Sequence, residues 1–262
     1  MTSTVLVTGG TGRLGRRVVA RLVDAGCDVR VLARHRRDAP PPVAFFTGDL
    51  RSGEGVEPAV RGVEAIIHCA TSTKGDAEAA ANLVAAARAG SPHLVHPSIV
   101  GIDLVPSWGY TKAKLKAEQI VEGSGLPWTI LRVTQFYDYC LENSRKLARI
   151  PVAAPVPAGF RVQPVDPDEV AARLVELALG RPAGRAPDLA GPQASSWADL
   201  FRSYLKATHQ RRWVVPVRVP GSKAARAGAL LPPAQHTAGT RTWDQFLAER
   251  LQEVPATAGT TI

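Results

Sequence analysis

Tyr110 and Lys114 are the residues whose types and spacing best fit proton-transfer chemistry. They lie four residues apart in a helical pattern, so both side chains are expected on one helix face. An ammonium held beside a phenol favours the phenolate, and such a tyrosine can exchange a proton with a carbonyl or an alcohol near neutral pH. Ser98 ends the preceding predicted strand, where its hydroxyl is expected to hold a substrate oxygen. The same tyrosine–lysine spacing also occurs on solvent-facing helices.

A glycine-rich turn near the start of the chain predicts a dinucleotide site. It reads as Gly-x-Gly-x-x-Gly or as Thr-Gly-x-x-Gly-x-x-Gly, between a β-branched run and an apolar helical pattern. Glycines let the backbone approach a pyrophosphate, and the helix N-terminus offers it N–H groups. The alternative is a turn that only packs the helix against the strand. The expected cofactor contacts are Gly9, Thr11, Gly12, Arg13, Leu14 and Gly15.

The second predicted strand ends at Ala33, where an acidic residue would bind the ribose hydroxyls of NAD. Arg34 follows instead, with Arg36 and Arg37 close behind and Arg13 in the glycine turn. A guanidinium binds phosphate through two parallel hydrogen bonds. The pattern therefore predicts NADP(H) as the cofactor, with solvated loop arginines as the alternative.

Two further strand ends supply candidate cofactor contacts. Asp49 and Leu50 follow the third predicted strand, where the carboxylate can accept a hydrogen bond from the adenine amino group. A Gly-Asp pair is also ordinary turn chemistry. Ala70 and Thr71 follow the fourth predicted strand and are small enough to leave room for a ribose.

The elements that must position these residues are strands alternating with helices. This alternation predicts an α/β fold, a doubly wound parallel sheet of the Rossmann type. The candidate residues follow the carboxyl ends of strands, where such sheets bind ligands. We expect a Rossmann domain over residues 1–150, an interleaved substrate-covering subdomain over 151–254, and a frayed tail over 255–262.

Composition argues against several other function classes. The formal net charge of +9 invites a nucleic-acid interpretation, but the positive residues form no single lysine-rich run, so no nucleic-acid partner is expected. No apolar run approaches the roughly 20 residues that span a bilayer. The N-terminus enters a strand directly and lacks a signal-peptide pattern. We therefore expect a cytoplasmic protein with no membrane partner, as a monomer or a homodimer.

The cysteines and histidines predict neither a disulfide framework nor a metal site. Cys27, Cys69 and Cys140 are far apart and odd in number, which fits a reducing compartment. His93 and His96 form the only close histidine pair, and three-residue spacing in a strand points them to opposite faces.

The chain resembles the atypical short-chain dehydrogenase/reductases, in their NmrA-like NAD(P)H-binding branch. The resemblance runs from residue 4 to about residue 250. It is carried by the glycine turn Thr8–Gly15, by Gly48-Asp49-Leu50, by residues 82–87, by residues 98–103, by Tyr110 through Glu118, by residues 125–132 and by residues 242–247.

The resemblance implies roles for four residues. It implies that Tyr110 is the proton donor or acceptor, that Lys114 also binds the nicotinamide ribose, and that Ser98 orients the substrate carbonyl. Asn82 matches a helix asparagine that holds a water molecule in a proton relay. Val133 and His96-Pro97 depart from the family pattern.

Gln135, Phe136 and Tyr139 follow the sixth predicted strand and are expected near the nicotinamide. The aromatic rings suit an apolar or planar substrate, although aromatic residues near a cleft are as often core.

The predicted function is an NADP(H)-dependent oxidoreductase that transfers hydride to or from a carbonyl or enone of a small apolar compound. One alternative is an NmrA-like redox sensor that binds nucleotide without turnover. Another is a redox-neutral isomerase or cyclase.

Overall fold

In the computed structural model the chain divides into two compact units. The structure describes residues 2–35, 39–72, 75–105 and 109–252. Unit 1 is formed by Met1–Val133 and Pro167–Leu189, and unit 2 by Thr134–Asp166 and Ala190–Ile262. The division at Thr134 lies earlier than the expected boundary after residue 150. The predictions for Arg36, Arg37 and the tail 255–262 lie outside the described residues.

The first part of unit 1 alternates strands with helices, as the sequence predicts. In chain order these are β1 (Thr4–Thr8), α1 (Arg13–Asp24), β2 (Asp28–Ala33), β3 (Val43–Thr47), α2 (Val56–Val60), β4 (Ala65–His68), α3 (Asp76–Ala87), β5 (His93–Ile99), α4 (Gly109–Glu122) and β6 (Trp128–Val133).

The chain then enters unit 2, returns to unit 1 and leaves it again. Residues 134–166 form α5 (Tyr137–Ala148), β7 (Ala153–Pro157) and β8 (Arg161–Val162). The return to unit 1 adds α6 (Pro167–Leu179), β9 (Gly184–Arg185) and β10 (Leu189–Ala190), the last at the unit boundary. Unit 2 continues with β11 (Ser195–Ser196), α7 (Trp197–Ala207), β12 (Trp213–Val217), α8 (Lys223–Arg226), β13 (Thr237–Ala238) and α9 (Trp243–Gln252).

Unit 1 is built on a parallel sheet with the strand order β10-β6-β5-β4-β1-β2-β3, and β9 also pairs with β6. The order reverses between β1 and β4, because the chain runs outward from β1 to β3 and then starts again at β4. In such sheets the strand ends at the reversal form the ligand-binding crevice. The predicted doubly wound fold is confirmed.

Successive side chains of each strand point to opposite sides of the sheet, and both faces of the sheet are apolar. The core on one face combines side chains of five strands with side chains of α2, α3 and α4. Its strand members are Leu6, Leu32, Ile66, Leu94 and Ile130. Helices α1 and α6 pack on each other and on the strands of the other face. This arrangement fixes the register of the strands and therefore the positions of the residues that follow them.

Unit 2 has a core of its own, which is rich in aromatic residues. Parallel strands β7 and β12 pair, as do antiparallel strands β8 and β11. The aromatic core packs α5, α7 and α9 together, and Trp243 stacks on Phe246 with ring centroids 5.7 Å apart. Among the described residues, no helix is both long and apolar enough to cross a membrane.

Candidate functional site

The glycine turn lies at the reversal of the strand order, immediately after β1. Gly9 adopts a φ of +67°, and a Cβ at this position would lie 2.6 Å from the backbone of Ala70, which follows β4. A Cβ on Gly15 would lie 2.1 Å from the carbonyl oxygen of Gly9. Both positions therefore require glycine, because any side chain would displace backbone.

The N-terminus of α1 is not capped by the side chain of its N-cap residue. The helix begins at Arg13, and its N-cap residue Gly12 makes no side-chain capping bond. The Gly12 N–H donates to the carbonyl oxygen of Gly9 over 2.9 Å, which closes the turn. Uncapped N–H groups at a helix N-terminus suit an anion, so the geometry fits a dinucleotide pyrophosphate.

The two predicted arginines that the structure describes are exposed. Arg13 opens α1, and Arg34 follows β2, the neighbour of β1 in the sheet. Both residues therefore lie at the surface, after β1 and β2 respectively.

The carboxylate of Asp76 joins two of the predicted contacts, Thr71 and Lys114. The Lys114 Nζ lies 3.2 Å from the Asp76 Oδ2, and the two side chains are only 7% and 4% exposed. The Thr71 hydroxyl donates to Oδ2 over 3.1 Å, and the Ser72 N–H donates to Oδ1 over 2.6 Å. Asp76 was not predicted as a site residue, because an Asp at a helix start is normally an N-terminal signal.

Tyr110 lies one helical turn before Lys114, in the first turn of α4. Its side chain is 42% exposed, whereas Lys114 is buried. The phenol is therefore accessible to solvent, whereas the ammonium one turn further along the helix is enclosed.

The fully buried Glu118, one turn beyond Lys114, anchors α4 to the sheet. Its Oε1 accepts hydrogen bonds from Nη2 of Arg132 and Nη2 of Arg185, each over 2.7 Å. Burial alone would raise the pKa of Glu118. The polar contacts of Arg132 and Ser98, with the charges of Arg132 and Arg185, hold this pKa below its usual value. Sequence reasoning missed this role, since the partners lie on distant strands.

Ser98 lies near the end of β5 and Asn82 on α3, and both side chains make contacts that the sequence does not indicate. Ser98 is buried on β5, with its hydroxyl beside Glu118. The Asn82 side-chain amide donates to the carbonyl oxygens of Leu50 and Arg51, over 2.8 and 3.0 Å. Asn82 thus fastens the segment after β3, which also carries Asp49.

A histidine of β4, His68, stacks on a histidine of β5, His96. The rings of His68 and His96 have centroids 5.3 Å apart, and His68 Nδ1 lies 2.7 Å from the Thr8 hydroxyl. Burial and the charge of Lys114 lower the pKa of His68 to about 4, although Asp76 opposes this shift. Burial, Lys114 and His68 also lower the pKa of His96. Both rings are therefore neutral at pH 7.

The three thiols are also held in their neutral form. Burial raises the pKa of Cys69 to about 12 against the opposing charge of Lys114. Burial likewise raises the pKa values of Cys27 and Cys140.

His93 lies on the opposite face of the sheet from His96, with Nε2 2.8 Å from the Thr129 hydroxyl. In the part of the chain that the structure describes, no three His, Cys, Asp or Glu side chains form a metal-binding group.

The three predicted substrate contacts lie in unit 2, around the start of α5. Phe136 is the N-cap residue of α5, and Tyr139 is exposed and packs edge-to-face on Trp197. The Gln135 Oε1 is buried and has no hydrogen-bond partner among the described residues. A buried acceptor of this kind suits a donor on a ligand.

Comparison with known proteins agrees with the fold and the glycine turn. A family model described as NAD(P)H-binding matches residues 9–178. The chain is 34% identical over 196 residues to (4-alkanoyl-5-oxo-2,5-dihydrofuran-3-yl)methyl phosphate reductase of Streptomyces griseus, covering 72% of this chain and 68% of the relative. It is 27% identical over 269 residues to NAD(P)H azoreductase of Xenophilus azovorans, covering 97% and 93%.

A solved structure has the same fold. The NADPH-dependent quinone oxidoreductase of Escherichia coli, complexed with NADPH, superimposes with a TM-score of 0.78. The match covers 94% of this chain and 99% of that chain at 19% sequence identity. At this identity the likeness concerns the fold.

Proposed function

The chain belongs to the NAD(P)H-binding family, in keeping with its resemblance to atypical short-chain dehydrogenase/reductases, and we propose that it is an NADP(H)-dependent oxidoreductase. Its reaction transfers hydride between the nicotinamide and a carbonyl or enone of a small, largely apolar compound. Tyr110 exchanges the accompanying proton with the substrate oxygen.

The cofactor contacts follow the strand ends of unit 1. The glycine turn Gly9–Gly15 and the start of α1 hold the pyrophosphate, Asp49 and Leu50 meet the adenine, and Ala70 and Thr71 line the ribose. Arg13 and Arg34 pair with the 2′-phosphate. Lys114 binds the nicotinamide ribose. When bound, the cofactor supplies or accepts the hydride.

The arrangement on α4 is the observation that carries this proposal. Lys114 is buried and fixed by Asp76 against the segment after β4, and Tyr110 is exposed one turn away. A fixed ammonium stabilises the phenolate that forms when Tyr110 gives its proton to the substrate. Ser98, at the end of β5, is the proposed contact for the substrate oxygen.

The names of the relatives support an acceptor with a conjugated double bond. The Streptomyces griseus relative is named for reducing an alkanoyl dihydrofuranone phosphate, and the Xenophilus azovorans relative for reducing azo compounds. Gln135, Phe136 and Tyr139 are the proposed substrate contacts in unit 2, where exposed aromatic surface suits a planar compound.

Turnover with and without the Tyr110 hydroxyl tests the reaction. We expect NADPH oxidation with at least one compound from a panel of acyl dihydrofuranones, quinones, azo dyes and ketones. Tyr110→Phe should lower kcat by roughly 100-fold or more, because the positioned proton donor is lost. Tyr204→Phe, in the core of unit 2, is the matched control. A wild-type kcat for Tyr110→Phe would rule out this mechanism, and NADPH binding without turnover of any compound would favour the sensor.

Cofactor choice is tested at Arg34. Arg34→Ala should weaken NADPH binding roughly tenfold or more, because a charge-assisted bond to the 2′-phosphate is lost. NADH binding should change by less than about twofold, since NADH lacks that phosphate. Arg61→Ala removes another exposed arginine and serves as the control. Titration of cofactor fluorescence measures both affinities, and equal losses for NADPH and NADH would contradict the preference for NADP(H).

A further inference from the structure

We infer that Asp76 is a positioning residue for the reaction, because its buried carboxylate fixes the Lys114 ammonium against the segment that follows β4. This inference rests on the proposed roles of Lys114 and Tyr110. Asp76 acts through Lys114 and touches neither the proton in transfer nor the hydride.

Both oxygens of the Asp76 carboxylate are occupied. Oδ1 accepts the Ser72 N–H over 2.6 Å, while Oδ2 accepts the Thr71 hydroxyl over 3.1 Å and lies 3.2 Å from Lys114 Nζ. A lysine ammonium has three N–H donors, so a bond to Asp76 leaves two donors for a ribose. The Asp76 carboxylate thus connects α3, α4 and the segment after β4, which includes the proposed ribose contacts Ala70 and Thr71.

Asp76 is also placed where a carboxylate is stable. It is the first residue of α3, and the N-cap Gly75 supplies no side chain for the helix N-terminus. The positive end of the helix dipole favours a negative charge there. The helix N-terminus thus favours a carboxylate at a place where nearly all of the side-chain surface is removed from water.

Asp76 is the counter-charge that offsets Lys114 at neutral pH. The charge of Lys114 also acts on three described groups, namely His68 and Cys69 from β4 and its end, and His96 from β5. All three are neutral at pH 7 for the reasons given above. Glu118 lies one turn away on α4, but its carboxylate is engaged by Arg132 and Arg185.

The charge of Asp76 sets the field that Lys114 exerts on Tyr110. A closely paired ammonium and carboxylate act on a distant group far more weakly than a lone ammonium. Asparagine in place of Asp76 preserves the shape and an acceptor oxygen but leaves the ammonium unpaired. The unpaired positive charge would favour the phenolate form of Tyr110. Less of the protonated donor would then remain at a given alkaline pH, so kcat would begin to fall at a lower pH.

The experiment compares Asp76→Asn with Asp76→Glu and Asp199→Asn in the full chain. Asp199 is a matched control, since it lies in the first turn of α7 but is exposed. Two properties are measured: NADPH affinity by fluorescence, and the pH profile of kcat with the panel compound that is turned over fastest.

Asp76→Asn is expected to weaken NADPH binding about tenfold, to lower kcat about tenfold, and to move the alkaline limb of the kcat profile down by about one pH unit. Asp199→Asn should match the wild type in all three measurements. Asp76→Glu, which retains the charge, should keep the wild-type position of the alkaline limb. A purely structural role would not separate the asparagine and glutamate variants in this way.

The inference would be overturned if Asp76→Asn kept both the wild-type NADPH affinity and the wild-type position of the alkaline limb of the kcat profile. It would also be overturned if that limb shifted equally in Asp76→Asn and Asp76→Glu. If Asp76→Asn does not fold, a shifted limb in Asp76→Glu overturns it and an unshifted limb supports it. If no panel compound is turned over, the proposed function fails, and NADPH affinity alone then decides the role of Asp76.

Discussion

His96 is a fully buried side chain whose two ring nitrogens have no hydrogen-bond partner among the described residues. It stacks on His68, and the pKa values of both rings are lowered, chiefly by burial. A protonated ring in either position would be an unsolvated cation close to Lys114. The two histidines therefore link the stability of the protein to pH.

Acidification should destabilise the protein through these two rings. The unfolded chain takes up a proton on histidine near pH 6.5, whereas the folded pKa of His68 is about 4. Between these values the unfolded state binds more protons. The contribution to stability is therefore complete above pH 6.5 and is lost as the pH falls toward 4. From pH 7 to pH 5 the loss is about 2 kcal/mol for His68.

Urea denaturation at pH 7 and pH 5 measures this loss. His96→Leu should lose less stability than the wild type over this interval, because one of the two rings that resist protonation is absent. His35→Leu, which replaces an exposed histidine, should show the wild-type loss. Identical losses for His96→Leu and the wild type would contradict the linkage.

Individual site residues could be predicted from the sequence more readily than their contacts. The glycine turn is a local pattern: Gly9 has a φ of +67°, and Gly15 packs against the carbonyl oxygen of Gly9. The link from Asp76 to Lys114 joins two helices that are separated by β5. Sequence spacing carries no information about such a contact, because it depends on how α3 and α4 pack.

At the scale of elements, α4 is held at two successive turns of one face. Tyr110, Lys114 and Glu118 recur every four residues, so they share that face. Lys114 is tied to Asp76 on α3, and Glu118 to Arg132 on β6 and Arg185 on β9. The position of Tyr110 thus depends on side chains from three other elements.

The two arginines that bind Glu118 should contribute unequally to stability. The side chain of Arg132 is 14% exposed and makes two bonds to the carboxylate, whereas that of Arg185 is 44% exposed. Arg132→Met should cost about 3 kcal/mol, since it leaves a buried carboxylate poorly paired. Arg185→Met should cost about 1 kcal/mol or less, because solvent screens this pair.

Thermal unfolding distinguishes the two arginine variants. The Tm should fall by roughly 6–12 °C for Arg132→Met and by less than about 4 °C for Arg185→Met. Equal decreases would show that burial does not control the strength of these pairs.

Elements with a strong local pattern could be predicted from the sequence, and elements without one could not. Strand β2 ends at Ala33 as predicted, because its β-branched alternating pattern stops there. Helix α5 was not predicted. Its N-cap residue is Phe136, which makes no side-chain capping bond, so the usual start signal is absent. The two-residue strands β9 and β13 are too short to show a period.

At the scale of the whole molecule, unit 1 is built from two separate stretches of the chain, with part of unit 2 between them. Residues 134–166 belong to unit 2, and α6 then returns to unit 1 and packs on α1 and on β4, β5 and β6. Val170, Ala171 and Leu174 of α6 are fully buried. The sheet face that carries α1 therefore depends on a helix that the sequence places far from it.

Leu174→Ala tests this dependence. Removing a fully buried leucine side chain should cost about 2–5 kcal/mol, measured from the urea dependence of unfolding. Leu179→Ala lies in the same helix, but Leu179 is 46% exposed, and its cost should stay below about 1 kcal/mol. A similar cost for both variants would mean that α6 is not part of the core of unit 1.

The neutral thiols give the molecule tolerance to the compounds it is proposed to reduce. Quinones and enones are electrophiles, and cysteine attacks them as the thiolate. With its pKa raised to about 12, Cys69 is almost entirely in the thiol form at pH 7. The pKa values of Cys27 and Cys140 are raised as well. The neutral thiols should therefore slow alkylation of the protein by electrophiles of the proposed substrate class.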